Sequence, residues 1–148
     1  MTDVWDALGG LLVASRADAT SGFERGVIDS RQARPGDLFF ALRGEHTDGH
    51  GYVASALQSG ASGAVVERPI DVPGDRPLFH VSDGIRALQR LAAFWRTKHE
   101  VRIVGVTGSV GKTTAKELIA HIISRRFRVL KSEANLNKEI GMPLALIQ

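Results

Sequence analysis

Residues 103–119, IVGVTGSVGKTTAKELI, run from an apolar stretch through a loop with three glycines to a lysine, two threonines and a second apolar stretch. Such a pattern requires a strand that turns sharply into a helix. That geometry aims successive backbone N–H groups and the positive end of the helix dipole at one point, where phosphate oxygens are stabilised. Gly108 and Gly111 permit backbone conformations and close approaches that a side chain would block. Lys112 offers a charge to β/γ-phosphates and Thr113 a hydroxyl to Mg²⁺. The general form G-x-x-x-x-G-K-[ST] expects its first glycine at position 106; this chain has Val106 there and Gly105 one residue earlier. The plain alternative is an ordinary glycine turn before a helix, and the strand-loop-helix setting argues against it.

The flanks extend this unit. Residues 101–106 read as a strand, Ala115, Leu118, Ile119, Ile122 and Ile123 as the stripe of a helix, and 128–132 as a second strand, which makes a βαβ unit. Upstream, 37–42, 63–67 and 77–82 are apolar runs bounded by turn residues and read as strands. A helix is expected from His50 to Leu57, with Asp48 as N-cap and Gly60 as its stop. Another is expected along Ile85, Leu88, Leu91, Ala92 and Trp95, capped by Asp83. Alternating strands and helices define an α/β chain. The polar segment 97–100 marks a boundary between residues 1–98 and 99–148.

Charge supports the division. Residues 1–98 carry net −1 and residues 99–148 net +4, so the positive excess lies beside the glycine loop, where an anionic ligand fits. The basic run 124–131 could meet nucleic-acid phosphates, but its only aromatic is Phe127 and cations at a helix C-terminus complement the dipole, so no nucleic-acid partner is expected. The absence of cysteine excludes disulfides and thiolate metal sites. Asp3 and Asp6 stand where a leader peptide would carry basic residues, and the apolar run after them is too short to span a bilayer. A cytoplasmic protein without membrane insertion is expected. His46 and His50 form H-x-x-x-H, but Gly49 between them disfavours one continuous helix, so a structural His50 is preferred over a metal pair.

The stretch TGSVGKTT (107–114) resembles the ATP loop of the Mur ligase family, T-G-[ST]-x-G-K-T-[ST]. Residues 29–67, DSRQARPGDLFFALRGEHTDGHGYVASALQSGASGAVVE, are similar to the family's amino-terminal domain, which holds a UDP-sugar substrate. The Ser109-Val110 pair and EANLNKEIGMPLALI (133–147) are most similar to members that add D-alanyl-D-alanine to UDP-N-acetylmuramoyl-tripeptide; the members acting one step earlier, the tripeptide synthetases, usually read T-N in the loop.

The resemblance implies a small amino-terminal α/β substrate domain followed by the start of a P-loop ATPase α/β domain. It implies an ATP- and Mg²⁺-dependent ligase that phosphorylates a carboxylate and forms an amide from the acyl phosphate. Gly108, Ser109, Val110, Gly111, Lys112, Thr113 and Thr114 become the nucleotide residues, Lys112 the catalytic one and Thr113 the metal ligand. Asn135 and Asn137 are placed near nucleotide or metal, with turn residues before a helix as the equal alternative. The family's N-x-N-N ends here in Lys138. Ser30 and Arg31, a hydroxyl and a planar fork, fall in the segment near the uridine nucleotide; outside the family pattern Arg31 would read as a solvated surface residue. MPLALIQ opens a helix with Pro143 in its first turn and stops while still apolar, so an incomplete, monomeric portion of an enzyme is expected. A nucleotide-binding module without ligation is the alternative from another class, and the 29–42 block, which such a module does not need, discriminates against it.

Overall fold

A computed structural model describes residues 3–16, 23–44, 47–131 and 138–147. In chain order the elements are α1 (Asp3–Leu8), β1 (Leu12–Arg16), β2 (Arg25–Val27), β3 (Asp37–Phe40), α2 (Val53–Gln58), β4 (Gly63–Val66), β5 (Leu78–Val81), α3 (Gly84–Lys98), α4 (Lys112–Ser124) and α5 (Lys138–Leu146). The strands form one sheet in the order β1-β5-β4-β3-β2; β2 through β5 run parallel and β1 antiparallel to β5.

All four residues of β3 are buried, as are all four of β4, the pattern of strands covered on both faces. Successive side chains point to opposite sides. Leu38, Phe40, Val65, Phe79 and Val81 pack with α1, α3 and α5, whereas Phe39, Ala41, Ala64, Val66 and Leu78 pack with α2, Ala33, Ala61 and Val72. Strands at 37–42, 63–67 and 77–82 are present within their expected ranges. The Asp83 carboxylate accepts from the Arg86 N–H and starts α3, and Asp48 caps a 3₁₀ turn, Gly49–Tyr52, that leads into α2.

Three elements are not in the sequence reading: α1, β1 and β2. Val4, Ala7, Leu8 and Leu11 have helical spacing and are buried, so α1 was legible in principle. β2 is only three residues long, too short to display alternation.

The basic segment departs from expectation. α4 forms, but 101–106 and the described part of 128–132 form no strand. A strand is defined by a ladder, and among the described residues no chain lies beside either segment to complete one. None of residues 101–131 is buried, and Leu118 and Ile122 on α4 are 59% and 60% exposed.

Pro143 lies in the sixth position of α5 rather than in its first turn. Proline has no N–H for the carbonyl four residues back, Glu139 O; that oxygen instead accepts from Gln89 Nε2 of α3 at 3.2 Å. α5 packs against α3, burying Leu144 and Ile147 in the core and leaving Leu146 only partly exposed. Ile147 O also accepts from Gly26 N at 2.9 Å, covering part of the free edge of β2.

Gly49 sits where the chain leaving β3 folds back on itself. A Cβ there would lie 2.6 Å from Leu42 O and 2.9 Å from Leu42 N, backbone atoms that cannot turn aside. Gly49→Ala is predicted to destabilise the fold by about 1–3 kcal/mol, read as a lower midpoint in urea with an unchanged slope.

Candidate functional site

Two groups of residues have chemistry to offer, one on the sheet and one on α4. The first begins where the chain leaves the carboxyl end of β2. Parallel α/β sheets place ligand sites at the carboxyl ends of their strands, because the connecting loops gather there. Asp29 caps the 3₁₀ turn Ser30–Gln32, its Oδ1 accepting from the Arg31 N–H at 3.0 Å. The same carboxylate holds the Arg31 guanidinium through Nε at 2.9 Å and Nη2 at 2.7 Å. The Arg31 hydrogen bonds hold the Asp29 carboxyl below its ordinary range. Arg31 is otherwise open to solvent, its side chain 87% exposed, so the remaining guanidinium N–H groups face outward. Ser30 is buried, and its hydroxyl meets no protein partner among the described residues.

Beneath this turn lies an ion pair that sequence reading missed. Arg25 opens β2, Asp37 opens β3, and the parallel register sets them side by side. Arg25 Nε donates to Asp37 Oδ1 at 2.9 Å and Nη2 to Oδ2 at 2.8 Å, a bidentate fork on a carboxylate that is almost fully buried. No local motif joins residues twelve apart; only the strand register does. Burial pushes the Asp37 carboxyl up, but hydrogen bonds from Arg25 and the Arg34 N–H, with the charges of both arginines, outweigh it and hold the group below the ordinary range.

A second polar cluster follows the carboxyl ends of β3 and β4. His50 Nε2 accepts from the Glu67 N–H at 2.9 Å, which fixes the proton on Nδ1, and Nδ1 donates to Asp48 Oδ1 at 2.6 Å. Both ring nitrogens are used within the fold, so His50 is structural; His46 lies outside the described residues. Asp48, which also pairs with Arg68 at 3.0 Å, is held low first by the His50 backbone N–H and then by the His50 ring. Glu67 Oε1 accepts from Gly84 N at 2.7 Å, satisfying an N–H at the start of α3.

The second group is the glycine loop. Gly111 precedes α4 at φ 79°, a left-handed conformation that disfavours any residue with a Cβ, and Gly108 is at φ 149°. No side chain caps α4, so its first N–H groups are left for an external acceptor. The Lys112 ammonium folds back over this loop and donates to Gly108 O and, at 3.4 Å, to Ser109 O. Ser109, Val110, Thr113 and Thr114 are exposed around it. Asn135 and Asn137 lie outside the described residues. Among the described residues no group of three or more histidines and carboxylates could hold a metal ion. No hydrogen bond or ion pair joins this loop to the Ser30–Arg31 turn among the described residues.

A mixed α/β sheet followed by a glycine loop that opens a helix defines the general class, an α/β protein with a P-loop-type turn. Residues 27–96 match the Mur ligase family, catalytic domain, and residues 106–148 the Mur ligase middle domain. The chain is 48% identical over 121 residues to the UDP-N-acetylmuramoyl-tripeptide--D-alanyl-D-alanine ligase of Synechocystis sp., covering 81% of this chain and 27% of that protein. Among solved structures it is similar to MurF from Acinetobacter baumannii, with 35% identity, a TM-score of 0.82, and coverage of 99% of this chain and 32% of the other. It is also similar to MurF ligase from Thermotoga maritima in complex with ADP, with 37% identity, a TM-score of 0.72, and coverage of 84% and 29%. The chain belongs to the Mur ligase family. It spans between about a quarter and a third of the length of these relatives.

The low-lying Asp37 carboxyl has a consequence for acid stability. Its folded pKa is below the unfolded value of about 3.9, so the stabilisation is fully present above that value and is lost as pH falls through the folded one. Asp37→Asn is predicted to narrow the stability gap to the parent protein as pH drops from about 6 to about 3, read by urea unfolding at both ends. An unchanged gap contradicts the shift.

Proposed function

We propose that this chain is the amino-terminal portion of an ATP-dependent ligase that adds D-alanyl-D-alanine to UDP-N-acetylmuramoyl-tripeptide in peptidoglycan precursor synthesis. In this reading residues 1–98 hold the UDP-linked substrate and residues 99–148 begin the ATP-binding domain. The single observation that carries it is the joint presence of the 107–114 loop and the Ser30–Arg31 turn in one chain whose relatives bear that name. The alternatives, a tripeptide synthetase and a non-catalytic P-loop module, have less support: the relatives at 48% and 41% identity that align over 120 to 140 residues carry the D-alanyl-D-alanine ligase name, whereas a diaminopimelate ligase at 42% aligns over only 99 residues.

A carboxylate resists attack by an amine at neutral pH because its leaving group is poor. Transfer of the γ-phosphoryl group of ATP to a carboxylate oxygen of the tripeptide breaks the bond from the γ-phosphorus to the β,γ-bridging oxygen and gives an acyl phosphate and ADP. The D-alanyl-D-alanine amine then attacks the acyl carbon, the C–O bond to phosphate breaks, the amine proton is lost, and amide and inorganic phosphate remain. Phosphoryl transfer needs positioning and charge neutralisation above all. Lys112 exchanges the carbonyls of Gly108 and Ser109 for β/γ-phosphate oxygens, and the uncapped N–H groups at the start of α4 take others. The exposed Thr113 hydroxyl is an oxygen donor suited to Mg²⁺, which prefers oxygen ligands and neutralises phosphate charge when bound. The Ser30 hydroxyl and the outward guanidinium N–H groups of Arg31 take the uridine nucleotide end. A reaction that consumes ATP and a nucleotide-linked precursor fits the cytoplasm, where this reading puts it.

Lys112→Ala in the full-length protein that carries this chain is predicted to cut turnover by about 10²-fold or more while the fold persists. Undiminished ATP-dependent phosphate release in a folded variant contradicts the assignment. Arg31→Ala is predicted to raise the KM for the UDP-linked substrate about tenfold and that for ATP less than about twofold. Equal rises for both, in the same steady-state assay, remove Arg31 from the substrate site.

A further inference from the structure

We propose that Arg25 and Asp37 are positioning residues for the Ser30–Arg31 turn, holding it in the geometry that receives the nucleotide end of the UDP-linked substrate. The inference rests on the reading of that turn as the substrate site.

The crossover from β2 to β3 runs from residue 28 to residue 36 and contains the turn. Its own anchors are few. Arg31 bonds only to Asp29 in the same turn, and the Ser30 hydroxyl has no protein partner among the described residues. Apart from the packing of buried Ala33 with α2 and the Glu24 N–H bond to Gly36 O at 2.8 Å, the ion pair beneath it ties the crossover to the sheet. Beyond its fork on Asp37, Arg25 Nη2 donates to Gln32 O, the last residue of the turn, at 3.1 Å. Asp37 Oδ2 accepts from the Arg34 N–H at 2.8 Å, and the Asp37 N–H donates to Arg34 O at 3.1 Å. One buried carboxylate and one guanidinium thus fix the chain at residues 32 and 34, immediately after Ser30 and Arg31.

Stability alone gives weak reason for this pair, since buried ion pairs are often no more stabilising than apolar residues of similar volume. A planar fork between two strand starts does supply direction. It sets where the main chain of Gln32 lies relative to the rigid sheet, and through it the placement of Ser30 and Arg31. Binding groups on a loop hold productive geometry only when neighbours lock them. Loosening the fork therefore weakens substrate binding without touching the ATP loop, which lies on a separate segment with no hydrogen bond or ion pair to the turn among the described residues.

The test is steady-state kinetics on the full-length protein with Asp37→Asn, Arg25→Lys, the double variant, and Arg31→Ala as reference, each checked for folding by circular dichroism. Asp37→Asn keeps the shape and removes the charge. Arg25→Lys keeps the charge and removes the fork and the Gln32 contact. Each single variant is expected to raise the KM for the UDP-linked substrate about fivefold or more, with kcat and the KM for ATP within about twofold, and the double variant to exceed the larger single effect by no more than about twofold. An unchanged KM for the UDP-linked substrate in a folded single variant overturns the proposal. A matched rise in both KM values also overturns it, because general loosening then accounts for the effect. If Asp37→Asn fails to fold, Arg25→Lys decides by the same criteria. If Arg31→Ala raises the UDP-substrate KM and the clamp variants do not, the positioning role alone fails. If Arg31→Ala also has no effect, the turn is not the substrate site and both readings fall together.

Discussion

The rest of the structure depends on the burial of β3 and β4 on both faces. A strand that presents Leu38 and Phe40 to one side and Phe39 and Ala41 to the other cannot be left with one face in water, so helices are required on both sides of the sheet. α1, α3 and α5 supply one layer and α2 with the crossover around Ala33 the other. The parallel direction follows, because a connection that packs on a face must carry the chain back before the next strand begins. Once those connections exist, their loops collect at the carboxyl ends of the strands. The Asp29–Arg31 turn, the Asp48–His50 cap and the Glu67 carboxylate at the start of α3 are found there for that reason.

The two groups of candidate residues are held very differently. The turn is fixed to a packed sheet by an ion pair, by Asp29 and by α2 alongside it. The glycine loop stands on a segment with no buried residue, and its shape is local: two glycines at positive φ, an uncapped helix start, and a lysine that bonds to its own loop. Local geometry of that kind needs little outside support, which is why a phosphate loop can be read from a short motif. Leu118 and Ile122 of α4, by contrast, remain exposed, and Glu117 joins the helix to the following segment through an exposed pair with Lys131 at 2.5 Å. Exposed pairs of this type contribute little.

Legibility in the sequence divides along the same line. β3, β4 and β5 were evident because each is a short apolar run between turn residues, and α3 because its stripe and its Asp83 cap agree. The glycine loop was evident because its chemistry is carried by adjacent residues. Arg25 and Asp37 were not, since each looks like a solvated charge until the strand register pairs them. The seat of α5 was also hidden: nothing in its residues says that Ile147 will cover the edge of β2 or that Gln89 will replace the hydrogen bond that Pro143 cannot make. The strands expected on either side of α4 failed for the complementary reason. Their composition suits a sheet, but a strand exists only beside a partner.

Two separate ligand sites, one on the sheet and one at the loop, are the central claim of the proposed ligase reading. Amide hydrogen exchange on the full-length protein, with the UDP-linked tripeptide alone and with ATP and Mg²⁺ alone, tests it most directly. The reading predicts slowed exchange around residues 29–34 with the first ligand, around 108–114 with the second, and neither region protected by the other's ligand. Protection of 108–114 by the UDP-linked substrate alone, or none at 29–34, would contradict it.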